Sequence, residues 1–227
     1  MLELLKSIED FSNKNGMKIN KDKSKAMKFS RVTKADFPLE LNFKDGEFLE
    51  VLNETKLLGV IVQDNLKWSK NTEYICKKAR QRIWLLRNMR KSGLSQSELV
   101  DAYTKEVRSL LELAVPVWHS SLTAQESHKI ERVQMSALSA ILCNSDLSYR
   151  KALKATKLDT LASRREKMCL KFITKNMRSQ KPLLTQNKKA YNTRDSSKVV
   201  KEYQCRTSQY FKSALPYLAR LVNNRCK

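Results

Sequence analysis

Apolar residues change their spacing once along the chain. Before Trp68 they come in short runs interrupted by Gly16, Gly46 and Gly59; from Trp68 onward they recur every three or four positions. Leu2, Leu5, Ile8 and Phe11 stand at helical spacing and stop at the Asn13 to Gly16 turn, which predicts an amphipathic helix over 2–14. Strands are expected at 24–30, 38–43, 47–52 and 56–62, with Lys44-Asp45-Gly46 as a hairpin turn between the second and third. The run from Leu57 to Val62 is the least polar of these and is expected to be buried, Gly59 marking a bulge or a close backbone approach. Helices follow at 69–91, at 95–120 with a bend near Pro116, and at 124–142, 148–154 and 160–178. Residues 179–198, with Pro182, read as loop or disorder, and a last helix spans 208–223. The fold class is therefore α+β: a small mixed helix/strand region over 1–66, a mainly α-helical domain over 67–178, and a basic C-terminal extension over 179–227.

Charge sharpens that division. The 227 residues carry 45 Lys and Arg against 23 Asp and Glu, a net of +22, far above what solubility asks of a chain this size. Residues 1–62 contribute only +1 and residues 63–227 contribute +21. Within the helical part, basic blocks at 67–91 (+8) and 150–178 (+8) flank a slightly acidic one at 92–149 (−3). A field of this sign calls for an anionic partner, and phosphate neutralisation makes nucleic acid the first candidate.

The helix over 69–91 shows where such a partner would lie. At 100° per residue from Ile75, the residues Ala79, Ile83, Leu86 and Met89 fall within about 80°, whereas Lys77, Arg80, Trp84, Arg87 and Lys91 fall between about 120° and 200°. One face is core and the other a cationic ladder with an aromatic in its middle, a combination suited to phosphate contact with base or sugar stacking. The alternative is that a later helix covers Trp84 and the cations form an ordinary solvated face. The Arg164-Arg165 pair is a second candidate for phosphate contact, with Asp159 or Glu166 as alternative partners that would make it structural.

Catalytic constellations are missing. The chain has no Walker loop, GxSxG or HExxH, and its nearest carboxylate pairs, Glu9-Asp10 and Asp45/Glu47, lie on an outward helix face and around a turn. Five scattered cysteines (Cys76, Cys143, Cys169, Cys205 and Cys226) and two histidines (His119 and His128) give no zinc or disulfide pattern, so reduced thiols and no metal are expected. The longest uncharged stretch around the central proline, Leu113 to Gln125, is 13 residues and contains Pro116, too short for a membrane span, and the first nine residues mix acids with bases. An intracellular chain with no membrane partner is expected.

Six segments in order, GMKINKDKSKAMKF, KLLGVIVQDNLKW, AYTKEVRSLLELAVPVWHSSL, KIERVQMSALSAIL, LDTLASRREKMCLKF and CRTSQYFKSALPYLARLVN, resemble the carboxy-terminal part of reverse transcriptases from non-long-terminal-repeat retrotransposons, the jockey-like LINE group. The resemblance runs over nearly the whole chain and implies that residues 2–14 are the palm helix following the catalytic strand. It also implies that residues 16–30 are polymerase motif D. The family's lysine, a proton donor to the leaving pyrophosphate, then falls on Lys23, with Lys21 and Lys25 close by. Leu58-Gly59 resembles motif E, the primer grip, a tight hairpin that steadies the growing 3′ end. Residues 68–178 would be the helical thumb, which holds a template-primer duplex of RNA and DNA by its backbone. The family's fingers, its motifs A and B, and the (F/Y)xDD strand that binds two magnesium ions would precede this stretch. By that resemblance the chain is catalytically incomplete alone and holds no magnesium itself, magnesium being the cofactor of the full-length family, and upstream polymerase segments are a partner if another chain supplies them. A working product would act in the nucleus, although no clear targeting signal is present. The competing expectations are a basic helical protein-interaction module and a non-functional retroelement relic.

Overall fold

The computed structural model describes residues 2–29, 41–43, 45–144, 146–178, 183–185 and 199–225. The chain divides into two compact units, Met1–Lys67 and Trp68–Lys227. The class is α+β, with two small two-stranded sheets in the first unit and helices throughout the second.

In the first unit, α1 (Leu2–Lys14) ends where Gly16 takes a φ of 65° and the Met17 amide donates to the Ser12 carbonyl. Its Leu4, Ile8 and Phe11 share one face and all three are exposed. Strand β1 (Lys25–Ala26) pairs in parallel with β2 (Glu50–Val51), in the register Lys25 opposite Glu50, and the Lys25 ammonium meets the Glu50 carboxylate. The expected hairpin around Asp45-Gly46 is present: Asn42 bridges Phe48, and Gly46 has the positive φ of 85° that the turn demands. Lys44 and the start of the expected 38–43 strand lie outside the described residues.

The expected single strand over 56–62 is instead a second hairpin, β3 (Glu54–Leu57) against β4 (Val60–Gln63), with Leu57 opposite Val60. The two-residue turn is Leu58-Gly59, at φ 48° and 89°, the sign pattern of the primed turns whose twist suits paired strands. The run from Leu57 to Val62 is accordingly not buried as a block: Val60 is buried, but Leu58 is 92% exposed.

The second unit is built on α2 (Ser69–Lys91), which packs most extensively on α6 (Ala124–Leu142). Between them the chain runs through α3 (Gln96–Ala102), a π-helical segment Tyr103–Arg108 and the short α4 (Ser109–Leu111). The π winding has a packing cause. Leu99, Tyr103, Val107 and Leu111 are all buried at intervals of four, a row that would drift about 40° per step around an α-helix; wider i→i+5 turns take up the drift. The expected helix over 95–120 breaks before Pro116, at Ala114, whose φ is 52°. Pro116 then sits in the first turn of α5 (Val115–Trp118), where a missing N–H costs nothing. The indole of Trp118, wholly buried, donates to the Leu113 carbonyl at 2.8 Å and pins the break.

Helices α3 and α6 open with capping boxes, Ser95 with Glu98 and Thr123 with Glu126, each side chain satisfying the other residue's backbone amide. At its far end α6 is capped from another helix, the Arg90 guanidinium donating to the carbonyls of Ala140 and Ile141. Helices α7 (Tyr149–Thr156) and α8 (Leu161–Met177) follow, and both pack on α6.

The C-terminal residues are not a separate appendage. Leu184 and Val200 are completely buried, and the buried Asn223 side chain both accepts from the Val200 amide at 3.1 Å and donates to its carbonyl at 3.0 Å. The expected last helix is two pieces, α9 (Ser208–Phe211) and α10 (Ala214–Arg225), and α10 packs on α8 and α5. Most of 179–198 lies outside the described residues. Among the described residues, no helix is long and apolar enough to cross a membrane.

Candidate nucleic-acid interface

Carboxylates already engaged within the fold narrow the set of cations left for a ligand. In the second unit Glu98 and Glu126 are spent on capping boxes, Glu106 pairs with Arg82, Asp159 with Lys167, and Glu112 with Arg164 and Arg108. Glu131 accepts the amides of Leu161 and Ala162 at the start of α8 together with the Tyr149 hydroxyl. Lys77, Arg80, Arg87 and Lys91 have no ion-pair partner among the described residues, and all four are exposed.

The opposite face of the same helix is buried, with Ile75, Cys76, Ala79, Ile83 and Leu86 at 3% exposure or less. Trp84 is 65% exposed and stands within the row of cations, so no later helix covers it. A rigid indole flanked by unneutralised cations offers a stacking surface together with phosphate donors. The four cations are side chains of one continuous helix of 23 residues, which fixes their spacing before any ligand arrives.

Arg164 and Arg165 do not belong to this surface. The Arg164 guanidinium forks onto Glu112, with Nη2 3.0 Å from Oε2, and the pairing with that carboxylate holds its pKa above the usual arginine range. Arg165 is completely buried; its Nε donates to His119 Nδ1 at 3.3 Å and its Nη2 to the Ser127 hydroxyl at 2.7 Å. Neither Asp159 nor Glu166 is the partner of either arginine, the two alternatives that sequence allowed. The first arginine is a tie between α8 and the α4 to α5 break, and the second a core group unavailable to phosphate.

The first unit separates three lysines that are alike in sequence. Lys21 is bound by Asp45 and Glu47 and lies over the Phe43 ring, and Lys25 is bound by Glu50. Lys23 is exposed, and its ammonium has no partner among the described residues; only its backbone is fixed, by a bond from its amide to Asn20 Oδ1. Leu58 and Gly59 project at the tip of the β3–β4 hairpin. Among the described residues no three His, Cys, Asp or Glu side chains come together in a way that would hold a metal ion.

Sequence reasoning passed over a second cationic row on α8. Lys167, Lys171, Lys175 and Arg178 are exposed on the side away from buried Leu161, Arg165, Cys169 and Ile173. The wheel projection that separates the two faces of α2 would have found it. Comparison with family models, with characterised proteins and with solved structures gives no match.

Proposed function

We propose that the chain binds the phosphate backbone of an RNA/DNA or RNA template-primer, in the manner of the carboxy-terminal palm and thumb of a non-long-terminal-repeat retrotransposon reverse transcriptase. The observation that carries this reading is the α2 ladder: four cations without carboxylate partners among the described residues, set around an exposed tryptophan on a helix whose other face is core. Backbone contacts of this kind position a duplex without reading its sequence. Two features of the first unit support the retroelement part of the reading. The Leu58-Gly59 tip is a tight hairpin of the kind the primer grip requires, and Lys23 is the one of three neighbouring lysines left without an acid partner among the described residues.

The test is salt-dependent binding to a 20-base-pair RNA/DNA hybrid. Affinity should fall steeply and linearly on logarithmic axes as salt rises, and replacing Lys77, Arg80, Arg87 and Lys91 by Ala should flatten the slope by about 3 to 4. An affinity indifferent to salt would overturn the proposal. A second reading, protein docking, is favoured by the exposed Leu4, Ile8 and Phe11 face of α1, and it predicts self-association or capture of a partner that survives the α2 substitutions.

A further inference from the structure

The row on α8 is a surface in its own right. Measured from Arg165, the buried residues of this helix lie between about −40° and 80°, whereas Lys167, Lys171, Thr174, Lys175 and Arg178 lie between about 180° and 280°. Successive lysines are four residues apart, about 6 Å along the axis, close to the spacing of neighbouring phosphates on one strand. Lys167 keeps Asp159 at 2.7 Å, but Lys171, Lys175 and Arg178 have no acid partner among the described residues. An ordinary solvated helix face intersperses acids with its bases; within this row there are none.

The α2 and α8 rows are carried by different helices. Both helices bury their inner faces in the same core, where α6 touches each, and both rows lie on the side turned away from it. The segment between them in sequence, 92–160, has eight bases and eight acids and so adds no net positive charge between the rows.

We infer that the α8 row is a second phosphate-backbone site, so that one chain holds two nucleic-acid strands at once and bridges them. This rests on the reading of α2 as a nucleic-acid surface. The ligand chemistry is the phosphodiester backbone, which DNA and RNA share.

The experiment measures stoichiometry by native mass spectrometry and fluorescence titration at low salt, with ten-nucleotide oligothymidylate and, in a separate arm, ten-nucleotide oligouridylate. Neither oligonucleotide pairs with itself, so a second strand is captured only by protein. The full chain should carry two oligonucleotides. The variant Lys171→Gln/Lys175→Gln/Arg178→Gln should carry one, with first-site affinity within about twofold of the parent and an unchanged circular dichroism spectrum. The α2 variant should also carry one. Saturation of the parent at one strand with steep salt dependence would overturn the second site and leave the α2 reading standing. Two strands on the α8 variant would overturn the assignment to this helix. Absence of any binding would remove both readings together. Equal behaviour of the two arms assigns recognition to phosphate alone, whereas binding of only one type of strand would overturn the shared-backbone chemistry.

Discussion

The Tyr149 hydroxyl donates to Glu131, and the same carboxylate accepts the backbone N–H groups of Leu161 at 3.2 Å and Ala162 at 2.6 Å. One side chain on α6 thus fixes the start of α7 and the start of α8, at the end of α8 where the helix dipole favours a negative charge. The contact also explains why burial and the neighbouring acid push the Tyr149 hydroxyl well above the usual tyrosine range.

Replacing Glu131 by Ala should therefore cost about 2 to 4 kcal/mol, because three donors lose their acceptor in partly buried surroundings. Urea unfolding of the full chain measures it. Glu131→Gln keeps an acceptor and should lose less than the alanine variant. Equal losses would mean that the charge at the helix start, and not the acceptor, does the stabilising.

His119 gives the helical unit an acid limit. Burial, and secondarily the Arg165 guanidinium, lower its pKa to about 4, and the ring accepts from Arg165 Nε through Nδ1 only while it is neutral. An unfolded histidine titrates near 6.5, so between about pH 6.5 and pH 4 the unfolded chain binds the extra proton and stability falls as pH is lowered. The contribution is complete above about pH 6.5 and lost as pH passes down through 4, of order 1 to 2 kcal/mol after allowance for partial exposure. His119→Asn, which supplies a non-titrating acceptor, should reduce the dependence of the melting temperature on pH across that window.

Trp84 should matter for ligand and not for folding. Trp84→Ala should leave the melting temperature within about 1 °C, since the ring is 65% exposed, and should weaken single-strand binding by roughly 5- to 100-fold if a base stacks on it. A large loss of stability would identify the ring as a packing group.

At the β3–β4 tip, Leu58 adopts a left-handed backbone conformation that costs a leucine about 1 kcal/mol and an asparagine little. Leu58→Asn should slow hydrogen exchange of the hairpin amides and, by the primer-grip reading, lower affinity for the hybrid. Slower exchange with unchanged binding would leave the exposed leucine without that role.

How much of this could be read from sequence depended on whether the cause was local. The bounds of α2 and α6 follow from spacing and caps: apolar residues every three or four positions, and Thr123 with Glu126 three residues later. The β3–β4 hairpin was hidden because Leu-Gly is a poor advertisement for a turn that Asn-Gly or Asp-Gly usually makes, and an apolar run with one glycine resembles a buried strand. Arg164 and Arg165 were hidden for a different reason. Their partners Glu112 and His119 lie 52 and 46 residues away in the chain, and no local pattern reveals a tie made only when α8 docks. The row on α8 was legible by the same angular arithmetic as that on α2.

The lysine spacing on α8 also bears on the free protein. Lys167, Lys171 and Lys175 follow one another at i, i+4 and i+8, and Arg87 and Lys91 repeat the interval on α2, so like charges are stacked turn upon turn at a small cost to each helix. Dissolved ions relieve that self-repulsion while competing for any polyanion. Raising ionic strength should therefore make the unliganded fold harder to melt under the very conditions that strip its ligand away.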